Sequence, residues 1–262
     1  HIRTHRGQFR HKFEDDLNGL EGTAGIGYCG PVREPYYIAS SKFGPFSICF
    51  TGNIVNAAQL RERFEALGHP FGRNDDIGII TRLICQGDDF IDGIKKMDQA
   101  IQGAYTILIL TPKGIYAVTS STWPLAIGMQ GDAVAVATES GCFGNLTRLE
   151  ESGYTLMRDL EPGEILFLSD GKYETADVLP DKMSRICSFL WVYTAFPNAV
   201  IKDIDAKEVR HILGGMLARR DIANGFIPDF VAAVPDSGRD HAIGYLNECI
   251  EQLEQGKIKK AP

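Results

Sequence analysis

Three short stretches of this sequence combine residue types that can do chemistry. Phe50-Thr51-Gly52-Asn53 sets a glycine among polar residues where a β-type run gives way to a helical one. Such a glycine can turn its backbone N–H toward a developing oxyanion, or it can be a loop residue chosen only for its backbone angles. Asp236-Ser237-Gly238 follows an apolar run, Phe230-Val231-Ala232-Ala233-Val234, and precedes a helical pattern. Small residues at a helix start leave room for a phosphate oxygen and offer N–H groups and the positive end of the dipole, with Arg239 adding charge. A plain tight turn is the alternative. Gly22-Thr23-Ala24-Gly25-Ile26-Gly27 has the wrong glycine spacing for a dinucleotide fingerprint, and Pro31 and Pro35 stand where its helix would run. Neither a GxSxG elbow nor a GxxxxGKS or GxxxxGKT phosphate loop occurs. The cysteines (Cys29, Cys49, Cys85, Cys142, Cys187, Cys249) are widely spaced, without a CxxC pair or histidines at zinc-ligand offsets, so they read as core thiols of a reducing, cytoplasmic compartment.

The elements that must hold these residues are legible as patterns. Gly25–Tyr28, Pro45–Phe50, Ala104–Leu110, Gly114–Val118, Leu125–Gly128, Ala133–Ala137 and Glu164–Leu168 read as strands. Lys113-Gly114 and Ser169-Asp170-Gly171-Lys172 have the composition of hairpin turns. One helix is expected over Asn56–Leu67, burying Leu60, Phe64 and Leu67 and stopping at Gly68. A second begins near Asp75-Asp76 and buries Ile79, Ile80, Leu83 and Ile84. After Pro180 the texture changes. Asp205–Ala223 has helical periodicity through Val209, Ile212, Leu213, Met216 and Leu217; Phe230–Val234 reads as a buried strand and Arg239–Leu253 as a helix, the opening of a parallel α/β unit. This gives two domains, 1–180 and 181–262.

With 262 residues, 44% hydrophobic and 23% charged, the chain can bury a core, and disorder is excluded. Against 27 Lys and Arg stand 34 Asp and Glu, a net charge of −7 that argues against nucleic acid or an anionic membrane as the main partner. Apolar runs such as Ile107–Leu110 are far shorter than the roughly 20 residues of a membrane span. The chain opens His1-Ile2-Arg3 with neither an initiator Met nor a signal region and stops at Ala261-Pro262 without an evident cap, so both ends read as cut.

A series of motifs then falls in one order: His5-Arg6-Gly7-Gln8, Gly25-Ile26-Gly27-Tyr28, Gly52-Asn53 with Val55-Asn56, Leu60-Arg61, Asn74-Asp75, Gly103-Ala104-Tyr105, Pro124–Gly128, Ala137–Ser140 and Leu160–Glu164. Together they resemble the class II glutamine amidotransferase domain. Trp191-Val192-Tyr193, Pro197 and Val234–Gly238 resemble the linker and first phosphoribosyltransferase strand of the glutamine phosphoribosylpyrophosphate amidotransferase family. The resemblance implies an α+β fold: a four-layer αββα N-terminal-nucleophile (Ntn) sandwich followed by a partial α/β type I phosphoribosyltransferase-like domain. It implies that a terminal cysteine, with its own α-amino group as base, takes the side-chain amide of glutamine to a thioester, and that the ammonia passes to phosphoribosyl pyrophosphate to give phosphoribosylamine for purine synthesis. By position, Arg6 and Gly7 border the thiol, Gly52 and Thr51 occupy the oxyanion hole, Asp75 meets the α-ammonium of glutamine, and Asp236, Ser237 and Gly238 line the pyrophosphate loop. Mg²⁺ would accompany phosphoribosyl pyrophosphate, and Cys187 stands where some members carry one ligand of a [4Fe–4S] cluster. Expected partners are glutamine and phosphoribosyl pyrophosphate, with self-association into a homo-oligomer and neither nucleic acid nor membrane.

The sequence also departs from that family. The nucleophilic cysteine belongs a couple of dozen residues before His5; Cys29-Gly30 echoes it but lies after the motif and is a decoy. Thr51 stands where the family has the oxyanion-hole asparagine, whose loss typically costs about 2.7–4 kcal/mol of barrier. The glutamine-carboxylate arginine falls in a shortened stretch containing Arg33, and Ser120–Trp123 replaces the Arg-Asp before the Pro-Leu strand. Two readings therefore stand: a glutamine amidotransferase, or a diverged member that serves as a binding or scaffolding module.

Overall fold

The computed structural model describes residues 22–30, 36–71, 76–120, 123–145, 153–180, 183 and 185–262. The expected roles of Arg6, Gly7, Arg33 and Asp75 lie outside them. The chain divides into two compact units that interleave along the sequence. The first comprises His1–Trp123, Asp132–Val134 and Leu160–Arg185; the second comprises Pro124–Gly131, Ala135–Asp159 and Ile186–Pro262.

The first unit is built on a six-stranded sheet in the order β1-β2-β3-β4-β8-β9, with every neighbouring pair antiparallel. Its strands are β1 (Tyr36–Ile38), β2 (Phe46–Ile54), β3 (Gly103–Thr111), β4 (Gly114–Thr119), β8 (Glu164–Ser169) and β9 (Lys172–Val178). Three helices intervene between β2 and β3: α1 (Ala57–Ala66), α2 (Asp76–Ile84) and α3 (Phe90–Ala100). Alternate strand residues Phe46, Ile48, Phe50, Ile54, Tyr105, Ile107 and Ile109 join Leu60 and Phe64 of α1, Ile77, Ile80 and Ile84 of α2, and Ile94 and Met97 of α3 in one buried core. Period-2 alternation thus meets period-3.6 stripes on a common face.

Both hairpins lie where expected. Asp170 (φ +50°) and Gly171 (φ +72°) join β8 to β9, the paired positive angles that a tight two-residue turn demands. Helix α1 ends at Gly68 (φ +81°), although Leu67, expected inside, is exposed. Helix α3 has no counterpart among the helices expected from the sequence. It starts at Asp89, whose side chain accepts the Asp92 N–H, and its Gly93 lies so close to α2 that a Cβ there would be 2.2 Å from the Ile84 carbonyl oxygen. The stretch Gly25–Tyr28, expected as a strand, is irregular in conformation.

The second unit carries most of a small sheet in the order β6-β5-β7, made of β5 (Ala126–Gln130), β6 (Ala133–Ala137) and β7 (Thr155–Asp159). It also holds a short helix, α4 (Gly141–Asn145), a π-helical turn at Leu190–Thr194, the hairpin β10 (Val200–Ile201) with β11 (Ile204–Asp205), and the helices α5 (Ala206–Ala223) and α6 (Gly238–Glu254). Arg210 is completely buried; its Nε donates to the Trp191 carbonyl at 2.8 Å and its Nη2 to that of Ala195 at 2.6 Å, fastening both ends of the π turn to α5.

Two expectations for this unit are corrected. The apolar stripe of α5 does not face inward: Ile212, Met216 and Leu217 are exposed, while Gly214, Gly215 and Ala218 are buried. The reason is close helix packing. A Cβ on Gly214 would fall 2.0 Å from the His241 carbonyl oxygen, and one on Gly244 would fall 2.0 Å from that of His211, so α5 and α6 meet backbone to backbone through their small residues. Nor is Phe230–Val234 a buried strand. It joins no sheet among the described residues, and Phe230 and Val234 are 79% and 80% exposed. An apolar run becomes a parallel strand only beside other strands.

Candidate active site on strand β2

The oxyanion candidate sits inside a strand and not beyond its end. Val55 donates its N–H to the Gln102 carbonyl at 2.7 Å, so the bonded pairs of the β2–β3 ladder fall at Val55/Gln102, Asn53/Ala104 and Thr51/Thr106. Gly52 faces Tyr105 in the alternate, non-bonded kind of pair. The other side of Tyr105 agrees: its N–H goes to Ser120 Oγ at 2.8 Å and its carbonyl accepts the Ser120 N–H at 2.8 Å, both away from β2. The Gly52 N–H is therefore turned off the β3 ladder. On the opposite side, the pairing of β1 with β2 among the described residues covers Phe46–Ile48.

Glycine is required here. Its φ is +148°, and a Cβ would lie 2.1 Å from the Ala104 carbonyl oxygen and 2.8 Å from the Tyr105 Cα. Gly103 repeats the feature across the ladder, with φ +144° and a would-be Cβ 2.1 Å from the Asn53 carbonyl oxygen. This end of β2 and β3 is close-packed backbone, presenting a main-chain donor at an exposed residue.

Thr51 lies opposite Thr106, which lies opposite Thr119, so the three share one sheet face. The Thr106 and Thr119 hydroxyls stand 2.9 Å apart, and both donate to the Trp123 carbonyl, at 2.9 and 2.7 Å. Thr51 thus heads a row of hydroxyls. It offers one short donor where an amide would reach further.

Side chains without an expected role hold this strand end. Asn56 donates through Nδ2 to the Ala100 carbonyl and accepts the Gln102 N–H through Oδ1, each at 2.9 Å, stapling the turn after β2 to the α3–β3 connection. Buried Tyr105 donates its hydroxyl to Asp98 Oδ1 at 2.5 Å. Burial, and then the charge and hydrogen bond of Asp98, push the phenol far above its ordinary range, so its O–H remains a donor. The Gly103-Ala104-Tyr105 triplet was the visible trace of this arrangement.

In the second unit, Asp236, Ser237 and Gly238 form the turn into α6. The Gly238 N–H donates to the Val234 carbonyl at 2.9 Å and the Arg239 N–H to that of Asp236 at 3.3 Å, while Arg239 pairs with the exposed Asp236 carboxylate at 3.4 Å. Two amides that could face an anion are engaged within the turn. Cys187 is exposed, and among the described residues no three His, Cys, Asp or Glu side chains gather to hold a metal. One thiolate is one of the four ligands such a cluster needs. Gly52 lines neither of two open grooves. One, of about 470 Å³, is lined by Tyr36, Lys42, Arg82 and Cys85 near the β1–β2 turn; the other, of about 210 Å³, is lined by Ser140, Phe143, Tyr154 and Asn198.

This geometry lies within a recognisable region. Residues 33–145 match the glutamine amidotransferase domain family. The amidophosphoribosyltransferase of Bacillus subtilis is 33% identical over 241 residues, covering 90% of this chain and 48% of the relative. That of Archaeoglobus fulgidus is 29% identical over 277 residues, covering 99% of the chain and 58% of the relative. The chain is similar to the amidophosphoribosyltransferases. It spans about half the length of the curated relatives it matches. Among solved structures, the glutamine phosphoribosylpyrophosphate amidotransferase from B. subtilis complexed with ADP and GMP superposes with a TM-score of 0.73 at 31% identity, over 82% of this chain and 46% of that one. The fold is thus the α+β class of the Ntn amidotransferases. No helix among the described residues is long and apolar enough to cross a membrane.

Proposed function

We propose that the protein is a glutamine amidotransferase of the amidophosphoribosyltransferase type. Glutamine is hydrolysed to glutamate and ammonia, and the ammonia displaces pyrophosphate from phosphoribosyl pyrophosphate to give phosphoribosylamine. The observation that carries the first half is the Gly52 N–H, held off the β3 ladder on an exposed residue inside the matched region. Donors of this kind act where charge develops, and they need no reorganisation when it does. In this reading a terminal cysteine thiolate attacks the glutamine amide carbon, the Gly52 N–H and the Thr51 hydroxyl receive the oxyanion, and collapse expels ammonia. Water then cleaves the thioester. An α-amino base with a pKa of about 7.7–8.0 suits proton transfer near neutrality. Asp75 would grip the α-ammonium of glutamine, with Arg6 and Gly7 beside the thiol.

The second half of the reaction is supported by the similarity through Val234–Gly238 and by apolar side chains left in the open, Ile212, Met216, Phe230 and Val234, which a completed sheet would cover. Asp236, Ser237 and Gly238 would then line the pyrophosphate loop, with Mg²⁺ entering together with phosphoribosyl pyrophosphate.

The test is ammonia release from glutamine by the full-length protein, before and after treatment with a glutamine-mimicking diazoketone. The reading expects release, its abolition, and one covalent adduct by intact mass. Neither ammonia nor adduct would leave the scaffolding role in its place.

A further inference from the structure

We propose that Tyr105, through its hydrogen bond to Asp98, is a positioning residue that keeps the Gly52 N–H aimed at the oxyanion. The inference rests on the glutaminase reading and adds to it the device that holds the donor in place.

Tyr105 is the residue directly opposite Gly52 on β3, and all its polar groups are engaged elsewhere. Its N–H and carbonyl are taken by Ser120 and its hydroxyl by Asp98. Gly52 has no side chain, so on that face of the pair Tyr105 alone supplies bulk, and it is 2% exposed. Asp98 stands in the last turn of α3, two residues before the Ala100 carbonyl that Asn56 grips. The segment from Asp98 to Tyr105 is therefore closed on itself by a hydroxyl–carboxylate bond between its two ends, and fastened in its middle to the turn that follows Gly52. Removing the hydroxyl deprives a charge-assisted bond of its donor and frees β3 to shift against β2. A shift of about an ångström in an oxyanion donor is enough to cost one to two orders of magnitude in rate.

Four proteins are compared: wild type, Tyr105→Phe, Asp98→Ala and Asp98→Asn. Tyr105→Phe and Asp98→Ala should each lower kcat for glutamine hydrolysis about tenfold while KM stays within about twofold, the pattern of a lost transition-state contact. Asp98→Asn keeps an oxygen acceptor for the same hydroxyl and should restore kcat to within about threefold of wild type. The second readout is the Gly52 amide cross-peak in a ¹⁵N–¹H spectrum. It should move in Asp98→Ala, which leaves the Tyr105 ring in place, and stay near its wild-type position in Asp98→Asn. Unchanged kcat and an unmoved Gly52 peak in Asp98→Ala would overturn the proposal, as would a kcat loss with that peak unmoved. If Tyr105→Phe fails to fold, the two Asp98 variants decide. If wild type releases no ammonia, the glutaminase reading falls, and the Gly52 peak alone judges the brace.

Discussion

The strand end at Gly52 and the turn at Asp236–Gly238 look alike as motifs, each a glycine among small polar residues beside an element end. They differ in where their amides go. At Gly52 the ladder parity fixed by Val55/Gln102 points the N–H away from β3, and Asn56, Tyr105 and Ser120 hold both strands there. At Gly238 the N–H closes the turn onto Val234, and the next amide returns to Asp236. A main-chain donor becomes available for chemistry when its neighbours satisfy one another and leave it out.

Substituting the two glycines tests that contrast most severely. Gly52→Ala must accommodate a Cβ 2.1 Å from a backbone oxygen at a φ that L side chains rarely adopt. Ammonia release from glutamine should fall by about 10²–10³ in kcat. A full-rate alanine variant would break the contrast. Gly214→Ala asks whether close backbone approach in the second unit is purely structural: it should lower stability to chemical denaturation by about 1–3 kcal/mol, since the helix axes must part, and leave glutamine kcat unchanged. Thr51→Asn lengthens the side-chain donor beside Gly52 and should raise kcat about tenfold with little change in KM; an unchanged rate would show that the threonine row does not adjoin the reacting carbonyl.

Smaller effects sharpen the second unit. The Arg219 guanidinium, 2.7 Å from Glu248, holds that carboxyl below its ordinary range. A depressed carboxyl pKa contributes stability above its unfolded value, about 4.3, and loses it as pH falls through the lower folded value. Denaturation of wild type should therefore ease more steeply than that of Arg219→Gln as pH drops below that point. Gly238→Ala should be nearly silent, within about 0.5 kcal/mol, because its Cβ would meet nothing nearer than the Val234 Cβ at 3.6 Å.

What could be read in the sequence was local. Leu60 and Phe64 of α1, Ile79, Ile80, Leu83 and Ile84 of α2 and the Asp170-Gly171 turn follow from spacing and backbone preference alone. The failures share a cause in glycine and in missing neighbours. Gly93, a weak helix former by type, is the point of contact of α3 with Ile84; Gly214 and Gly244 let α5 pack by its small side and turn Ile212 and Met216 outward. Phe230–Val234 has the composition of a strand, but composition brings no partner. At the candidate site, Gly52 and Thr51 were visible as residue types. The direction of the Gly52 N–H was not, because pairing with residues about fifty positions away sets it.

The most direct test places a chemical group where the oxyanion would be. With the full-length protein labelled with ¹⁵N, the Gly52 amide is followed while a glutamine-mimicking diazoketone forms its adduct, whose ketone oxygen stands in for that of the tetrahedral intermediate. The account predicts a downfield shift of the Gly52 amide proton as it takes up a hydrogen bond. A stoichiometric adduct that leaves this resonance where it began would contradict it.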